Sequence, residues 1–169
     1  MRWRLLTAAA LCCAPLSASG QLIEVGINGG ATYWDSRDFG DIYGANLGVE
    51  LALIDWFVVE GRTGYYRGER FDLEVVPLEV AGIFRLSILD TIEPYAGLGV
   101  GQYFISVSDI EANDRQAIFP LAGIDVHLPT TNLTLTAEAR WMFFSDSVTD
   151  EVDSDLDGVA ISLGLMWAF

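Results

Sequence analysis

Three pairs of ionisable side chains recur with a single residue between their members: Glu60 and Arg62, Asp125 and His127, and Glu138 and Arg140. In an extended strand, residues two apart project from the same face, so the members of each pair would lie side by side. Carboxylates beside arginine or histidine can pass protons or ions, or they can form a purely structural network. We expect the structural network, because buried charges without partners are costly.

A second group of acidic residues has the spacing of metal ligands. Asp153, Asp155 and Asp157 alternate with other residues before Gly158, as at the start of a calcium-binding loop. An EF-hand also needs an acid at its twelfth position, where this chain has Gly164. The segment therefore predicts a solvated acidic loop. A weak divalent-cation site that bridges lipid phosphates is the alternative interpretation.

Eight stretches of the chain alternate apolar and polar side chains with a period of two, which is typical of β-strands. Their predicted bounds are 22–34, 42–54, 57–66, 74–88, 94–107, 118–128, 133–144 and 158–169. The connections alternate between short turns and longer loops. Each stretch is long enough for a tilted strand to cross a membrane, which takes about 9–11 residues.

The last stretch, from Gly158 to Phe169, indicates which face turns outward. One face is apolar throughout and ends in Trp167 and Phe169, whereas the opposite face holds only small or weakly polar residues. A band of apolar residues that ends in aromatic side chains is typical of a strand that faces lipid. Eight aromatic residues near strand ends predict an interfacial girdle: Tyr33, Trp34, Tyr43, Trp56, Tyr65, Trp141, Trp167 and Phe169.

The predicted fold is all-β: an eight-stranded antiparallel up-and-down transmembrane β-barrel. Lipid offers no partner to free backbone groups, so the sheet must close, and eight strands enclose an interior that side chains can fill. The inward face should carry an interior charge network of ten residues: Glu24, Glu50, Glu60, Arg62, Glu79, Arg85, Asp125, His127, Glu138 and Arg140.

Three residues fit this pattern poorly. Gln102 shares a face with apolar neighbours, which predicts a β-bulge near Gly101 or an interfacial position. Pro77 and Pro120 need positions where the sheet requires no backbone N–H.

The first 20 residues have the pattern of an export signal. Arg2 and Arg4 precede an apolar run from Leu5 to Pro15, followed by small residues. We therefore predict a cleaved signal peptide over 1–20 and a barrel over 21–169. Cys12 and Cys13 are the only cysteines, and a lipid-modified cysteine is the alternative.

The charge of the chain is strongly acidic. Cleavage of the signal would leave 7 arginines and no lysine against 24 acidic residues. Nucleic acid, which requires a basic surface, is excluded as a partner.

Three local features resemble the OmpA-like outer-membrane β-barrel family of Gram-negative bacteria. They are the glycine-rich strand Pro94–Gly101, the segment Leu133–Arg140, and the terminal residues Ser162, Gly164, Trp167 and Phe169. The last set is similar to the signal that the barrel assembly machinery reads. The resemblance spans the whole mature chain, and it implies location in the bacterial outer membrane, contact with its lipid and lipopolysaccharide, and a barrel domain alone. We expect a monomer.

The role that follows is structural or surface-interacting, with a plugged polar interior, no cofactor and no enzymatic activity. A narrow pore for small solutes or ions is the first alternative. A lipid-modifying enzyme would require a serine, histidine and acid near the outer rim, whereas His127 lies beside a predicted periplasmic turn, where we expect it to bond to Asp125. A soluble ligand-binding barrel would have to turn the long apolar faces inward.

Overall fold

A computed structural model describes residues 24–68, 72–86, 91–107, 110–111, 114–145 and 156–169. The strands are β1 (Glu24–Ser36), β2 (Gly40–Ile54), β3 (Phe57–Gly68), β4 (Leu73–Arg85), β5 (Ile92–Val107), β6 (Ile110–Glu111), β7 (Arg115–His127), β8 (Leu133–Phe144) and β9 (Gly158–Ala168). No helix among the described residues is long and apolar enough to cross a membrane.

Eight of these strands form a closed antiparallel barrel, which confirms the predicted fold class. Around the ring the order is β1, β2, β3, β4, β5, β7, β8 and β9, and β9 pairs with β1 from Gly26–Ala168 to Ser36–Gly158. The two-residue strand β6 pairs only with β5. The tight connections, such as Asp55-Trp56, define the turn end of the barrel, and the longer connections define its loop end.

The two faces of each strand follow the alternation of the sequence. Large apolar side chains project outward from every strand of the ring. One example from each strand, all between 44% and 65% exposed, is Ile27, Leu47, Tyr65, Leu78, Leu98, Ile118, Leu135 and Leu163. A continuous apolar belt therefore surrounds the barrel.

The two prolines interrupt sheet pairing where their missing N–H would be needed. Pairing of β3 with β4 skips from Thr63–Leu78 to Tyr66–Val75, and the Thr63 hydroxyl donates to the Pro77 carbonyl at 2.8 Å. Pairing of β7 with β8 likewise skips Pro120. Toward β5 both prolines lie in non-hydrogen-bonded pairs, opposite Tyr103 and Leu98, where the sheet requires no backbone N–H.

The predicted bulge near Gly101 is wrong. Strand β5 keeps continuous register with both neighbours through Gly101, and Gln102 lies opposite Gln116. The register shift lies instead between Ala52 and Ile54, beside the turn that joins β2 to β3. A short turn must bend the chain sharply there, whereas a partly buried glutamine requires no change of register.

The loop end of the lumen is filled by apolar side chains, although a polar interior was predicted throughout. The prediction that Trp34 belongs to the interfacial girdle is wrong. Trp34 is only 2% exposed and stacks inside the barrel on Phe144, with ring centroids 5.6 Å apart. It shares the inward face of Thr32 and Ser36, so strand parity overrides its aromatic character. Tyr103 packs edge-on against Phe144, and Phe119 and Leu156 are also buried there.

Strand bounds differ from prediction mainly at the ends. β4 ends at Arg85 rather than Ile88, and residues 87–90 are outside the described part of the chain. β1 extends to Ser36, since Asp35 and Ser36 still pair with both neighbouring strands.

Candidate functional site

A network of ion pairs crosses the middle of the lumen. Arg62 on β3 donates from Nε and Nη2 to Glu60 at 3.0 and 2.8 Å, and from Nη1 to Glu138 on β8 at 2.6 Å. In the ring order, β3 and β8 lie directly opposite each other. The bond from Arg62 to Glu138 therefore spans the barrel, and both side chains are at least nine-tenths buried.

Arg140 forms the second bridge, one layer nearer the loop end. Its Nη1 donates to Glu79 on β4 at 2.6 Å and its Nη2 to the Ser162 hydroxyl on β9 at 3.0 Å. Glu79 also accepts from the Tyr103 hydroxyl at 2.5 Å. The guanidinium lies 5.9 Å from the centre of the Phe119 ring, where the ion pairs meet the apolar cluster.

Arg85 forms a third group toward the turn end. Its Nη2 binds Glu50 and lies 3.2 Å from Asp125 Oδ2. The Asn28 amide joins this group to the middle layer, because it donates to Glu50 at 2.9 Å and to Glu60 at 2.7 Å. The charged groups on opposite walls are thus linked into one continuous network.

His127 does not bond to Asp125, so that prediction is wrong. Its Nε2 lies 3.1 Å from Glu93 on β5, and its Nδ1 is 2.9 Å from the Thr134 hydroxyl on β8. Asp125 accepts instead from Thr136 at 2.9 Å. Thr134 lies directly opposite His127, and Thr136 lies directly opposite Asp125. Such cross-strand neighbours come closer than residues two apart on one strand. Glu93 is opposite Asp125 and reaches His127 diagonally.

The structure brings nine of the ten predicted charged side chains into these contacts. Glu24 is exposed at the turn-end mouth and forms no hydrogen bond or ion pair with another described side chain. Sequence reasoning missed Glu93, Tyr95 and Tyr103 as partners of these groups. Tyr95 and Tyr103 lie on the same inward face as the glycines between them, so the alternation of faces along the strand could have identified them.

The turn end of the lumen is open. A cavity of about 1090 Å³ reaches from the turns inward to Glu50 and Arg85. Beyond it, a space of only about 20 Å³ remains among Asn28, Arg62 and Glu138. That volume is close to one water molecule.

The candidate calcium loop lies mostly outside the described residues, which include neither Asp153 nor Asp155. Asp157 is described, and its Oδ1 accepts the backbone N–H of Phe144 at 2.7 Å. Among the residues with described positions, no group of three or more acidic, histidine or cysteine side chains has the geometry to hold a metal ion.

The terminal residues of the resemblance occupy both faces of β9. Ser162 faces the lumen and is hydrogen-bonded to Thr32 at 2.9 Å, whereas Trp167 and Phe169 are 48% and 72% exposed on the outside. The Phe169 N–H donates to the Val25 carbonyl at 3.0 Å, so the chain remains paired to its last residue.

Solved structures with the same architecture are small outer-membrane barrels. Neisserial surface protein A matches with a TM-score of 0.69 at 15% identity, over 87% of this chain and 97% of that one. OprG from Pseudomonas aeruginosa matches at 0.66 and 13% identity, over 87% and 96%. The N-terminal β-barrel domain of Pseudomonas aeruginosa OprF matches at 0.62 and 16% identity, over 86% and 97%. At these identities the likeness shows the fold, which is the fold that the sequence resemblance implied.

No protein-family model matches the sequence, and no curated protein matches it.

Proposed function

We propose that this protein is an outer-membrane barrel with a closed lumen and a structural or surface-interacting role. Its outer face would contact lipid and lipopolysaccharide, and its last strand would be read by the barrel assembly machinery. We propose that it acts as a monomer, without enzymatic activity and without binding nucleic acid.

The belt of exposed apolar side chains is the observation that carries the membrane assignment. On β2 alone, Leu47, Val49, Leu51 and Leu53 are each at least 39% exposed. Water-soluble monomers rarely expose a continuous apolar surface of this extent, whereas a lipid-facing barrel requires it. The solved outer-membrane barrels of the same fold support the location.

Two layers in series support the closed lumen. The bridges of Arg62 and Arg140 connect opposite walls, and the apolar cluster around Trp34 and Tyr103 fills the loop end. An ion would have to break buried ion pairs and then cross the apolar cluster. Either step is costly.

A first experiment tests the membrane barrel itself. The protein extracted from outer membranes should migrate as a compact band on a detergent gel without boiling, and as a slower, unfolded band after boiling. Recovery in the soluble periplasmic fraction with no shift on boiling would contradict the proposal.

Conductance in a planar bilayer tests the closed lumen against the narrow-pore alternative. The purified barrel should give no steady current steps, while a porin reconstituted in the same bilayer confirms that insertion is detectable. Steady steps from the unmodified barrel would favour the pore.

A further inference from the structure

The turn-end cavity has a lining unlike that of the sealed layers above it. It is wide and open on one side, and its floor is closed by Glu50 and Arg85. Pockets that bind small organic molecules usually occupy about 300–1,000 Å³, so this space is sufficient for such a ligand.

Carboxylates outnumber cations around this cavity. Glu24 and Asp55 are exposed at its mouth and have no ionic partner among the described residues, while Glu93 lies deeper, beside His127. Arg85 is the only arginine among the described residues of the lining, and its Nη2 is already shared between Glu50 and Asp125. Glu24 and Asp55 would repel an anionic ligand at the mouth.

The buried layer beneath the cavity points independently to a cation. Its acidic side chains, Glu50, Glu60, Glu79, Asp125 and Glu138, outnumber Arg62, Arg85 and Arg140. Asp125 is only 1% exposed, yet its Oδ2 accepts no hydrogen bond and has the Arg85 guanidinium as its near charge. Where these carboxyl groups are ionised, their excess over the arginines makes the potential at the cavity floor more negative, because low-dielectric walls screen it weakly.

Part of the wall between the carboxylates is apolar. Val58 and Met166, both buried and on the inward faces of their strands, belong to the lining. A compact hydrated metal ion would gain nothing from these surfaces. A chain of methylene groups that carries several ammonium groups would bury its stem on them and place its charges at the carboxylates.

We propose that the turn-end cavity is a binding site for aliphatic polyamines. The ammonium groups would pair with Glu24 and Asp55 at the mouth and approach Glu93 and the acidic floor, and the methylene stem would lie on the apolar wall. The site depends on the barrel fold and not on the role proposed above, so each proposal can fail separately.

Calorimetric titration of the refolded barrel with spermine tests this site, in uncharged detergent at about 0.1 M salt, where weak surface attraction is largely screened. We expect saturable binding of one spermine per barrel and weaker binding of the shorter diamine putrescine. The double variant E24Q/D55N should weaken spermine binding roughly fivefold or more, because it removes the two carboxylates of the described mouth that have no ionic partner there.

The matched control is D35N/D72N, which removes two exposed carboxylates at the loop end, far from the cavity. It should change spermine affinity less than twofold. Similar losses in both double variants, or the absence of saturable binding to the unmodified barrel, would overturn the proposal. Magnesium binding as tight as spermine binding would also overturn it, since a metal ion does not use the apolar wall. If the E24Q/D55N protein fails to refold, the single variants E24Q and D55N are titrated with spermine instead.

Discussion

At the residue scale, the lumenal arginines connect strands on opposite sides of the barrel, which backbone hydrogen bonds between neighbouring strands cannot do. Arg62 uses all three of its guanidinium nitrogens on Glu60 and Glu138, and so fixes two opposite strands relative to each other. Such a fork-shaped donor holds carboxylates in a defined geometry, which lysine does not provide. This is consistent with a chain whose basic residues are all arginine.

Replacing Arg62 by alanine should destabilise the barrel strongly. The carboxylates of Glu60 and Glu138, 2% and 1% exposed, would lose their bridging cation. Breaking a buried pair in this way costs about 3–5 kcal/mol. The measurement is the free energy of unfolding by denaturant of barrels refolded in lipid or detergent.

Arg67 on the same strand provides the matched control. Its side chain is 64% exposed and lies 3.9 Å from Glu74, so R67A should cost less than about 1 kcal/mol. Equal losses from R62A and R67A would show that the lumenal bridge contributes no more than a surface pair.

At the element scale, lumenal glycines make room for aromatic rings on the neighbouring strand. Three buried rings lie directly across from a glycine: Tyr66 from Gly44, Tyr95 from Gly123, and Phe119 from Gly99. The rings lie flat over the positions where a side chain would otherwise project. This arrangement fills a narrow lumen without pushing the walls apart.

Adding one methyl group at Gly123 should therefore destabilise the β5–β7 pair. A Cβ there would lie 2.7 Å from the Ala137 carbonyl oxygen and would overlap the Tyr95 ring. We expect G123A to cost about 1–3 kcal/mol, as overpacking does elsewhere. Its effect can be read from the denaturant midpoint of the refolded barrel.

Gly61 on the outer face of β3 is the control, because a Cβ there meets nothing within 4 Å. G61A should be neutral or slightly stabilising, since alanine restricts the unfolded chain more than glycine does. If G61A were as harmful as G123A, the loss would come from glycine replacement in strands generally and not from the Tyr95 contact.

At the scale of the whole molecule, the first and last strands must meet to remove the sheet edges. β1 and β9 pair over eleven consecutive positions, from Gly26–Ala168 to Ser36–Gly158. The Phe169 side chain adds little to this seam because it is 72% exposed outside the barrel. Its position favours a role in recognition during assembly over one in stability.

Deleting Phe169 should separate these two roles. The shortened chain should refold in detergent with its heat-dependent gel shift intact, but its amount in the outer membrane of cells should fall severalfold. F84A is the control, since Phe84 is an outward aromatic of similar character on β4, 51% exposed. Equal amounts of the two variants in the membrane would contradict an assembly role for Phe169.

The sequence by itself determined the alternation of faces, and with it the closed barrel, the apolar belt and the inward direction of residues such as Glu60, Arg62 and Glu138. Period-two patterning is local, and lipid leaves backbone groups no choice but to pair, so these features follow without knowledge of distant contacts. The same parity places Trp34 inside the barrel, although its aromatic character is typical of the membrane interface.

Only the tertiary structure decided which inward residues meet. Arg62 reaches Glu138 from 76 positions away, and His127 chooses Glu93 and Thr134 over Asp125. These partners depend on ring order, on the stagger between tilted strands and on side-chain reach, none of which a repeating pattern encodes. The division of the lumen into an apolar loop end, a charged middle and an open turn end arises for the same reason.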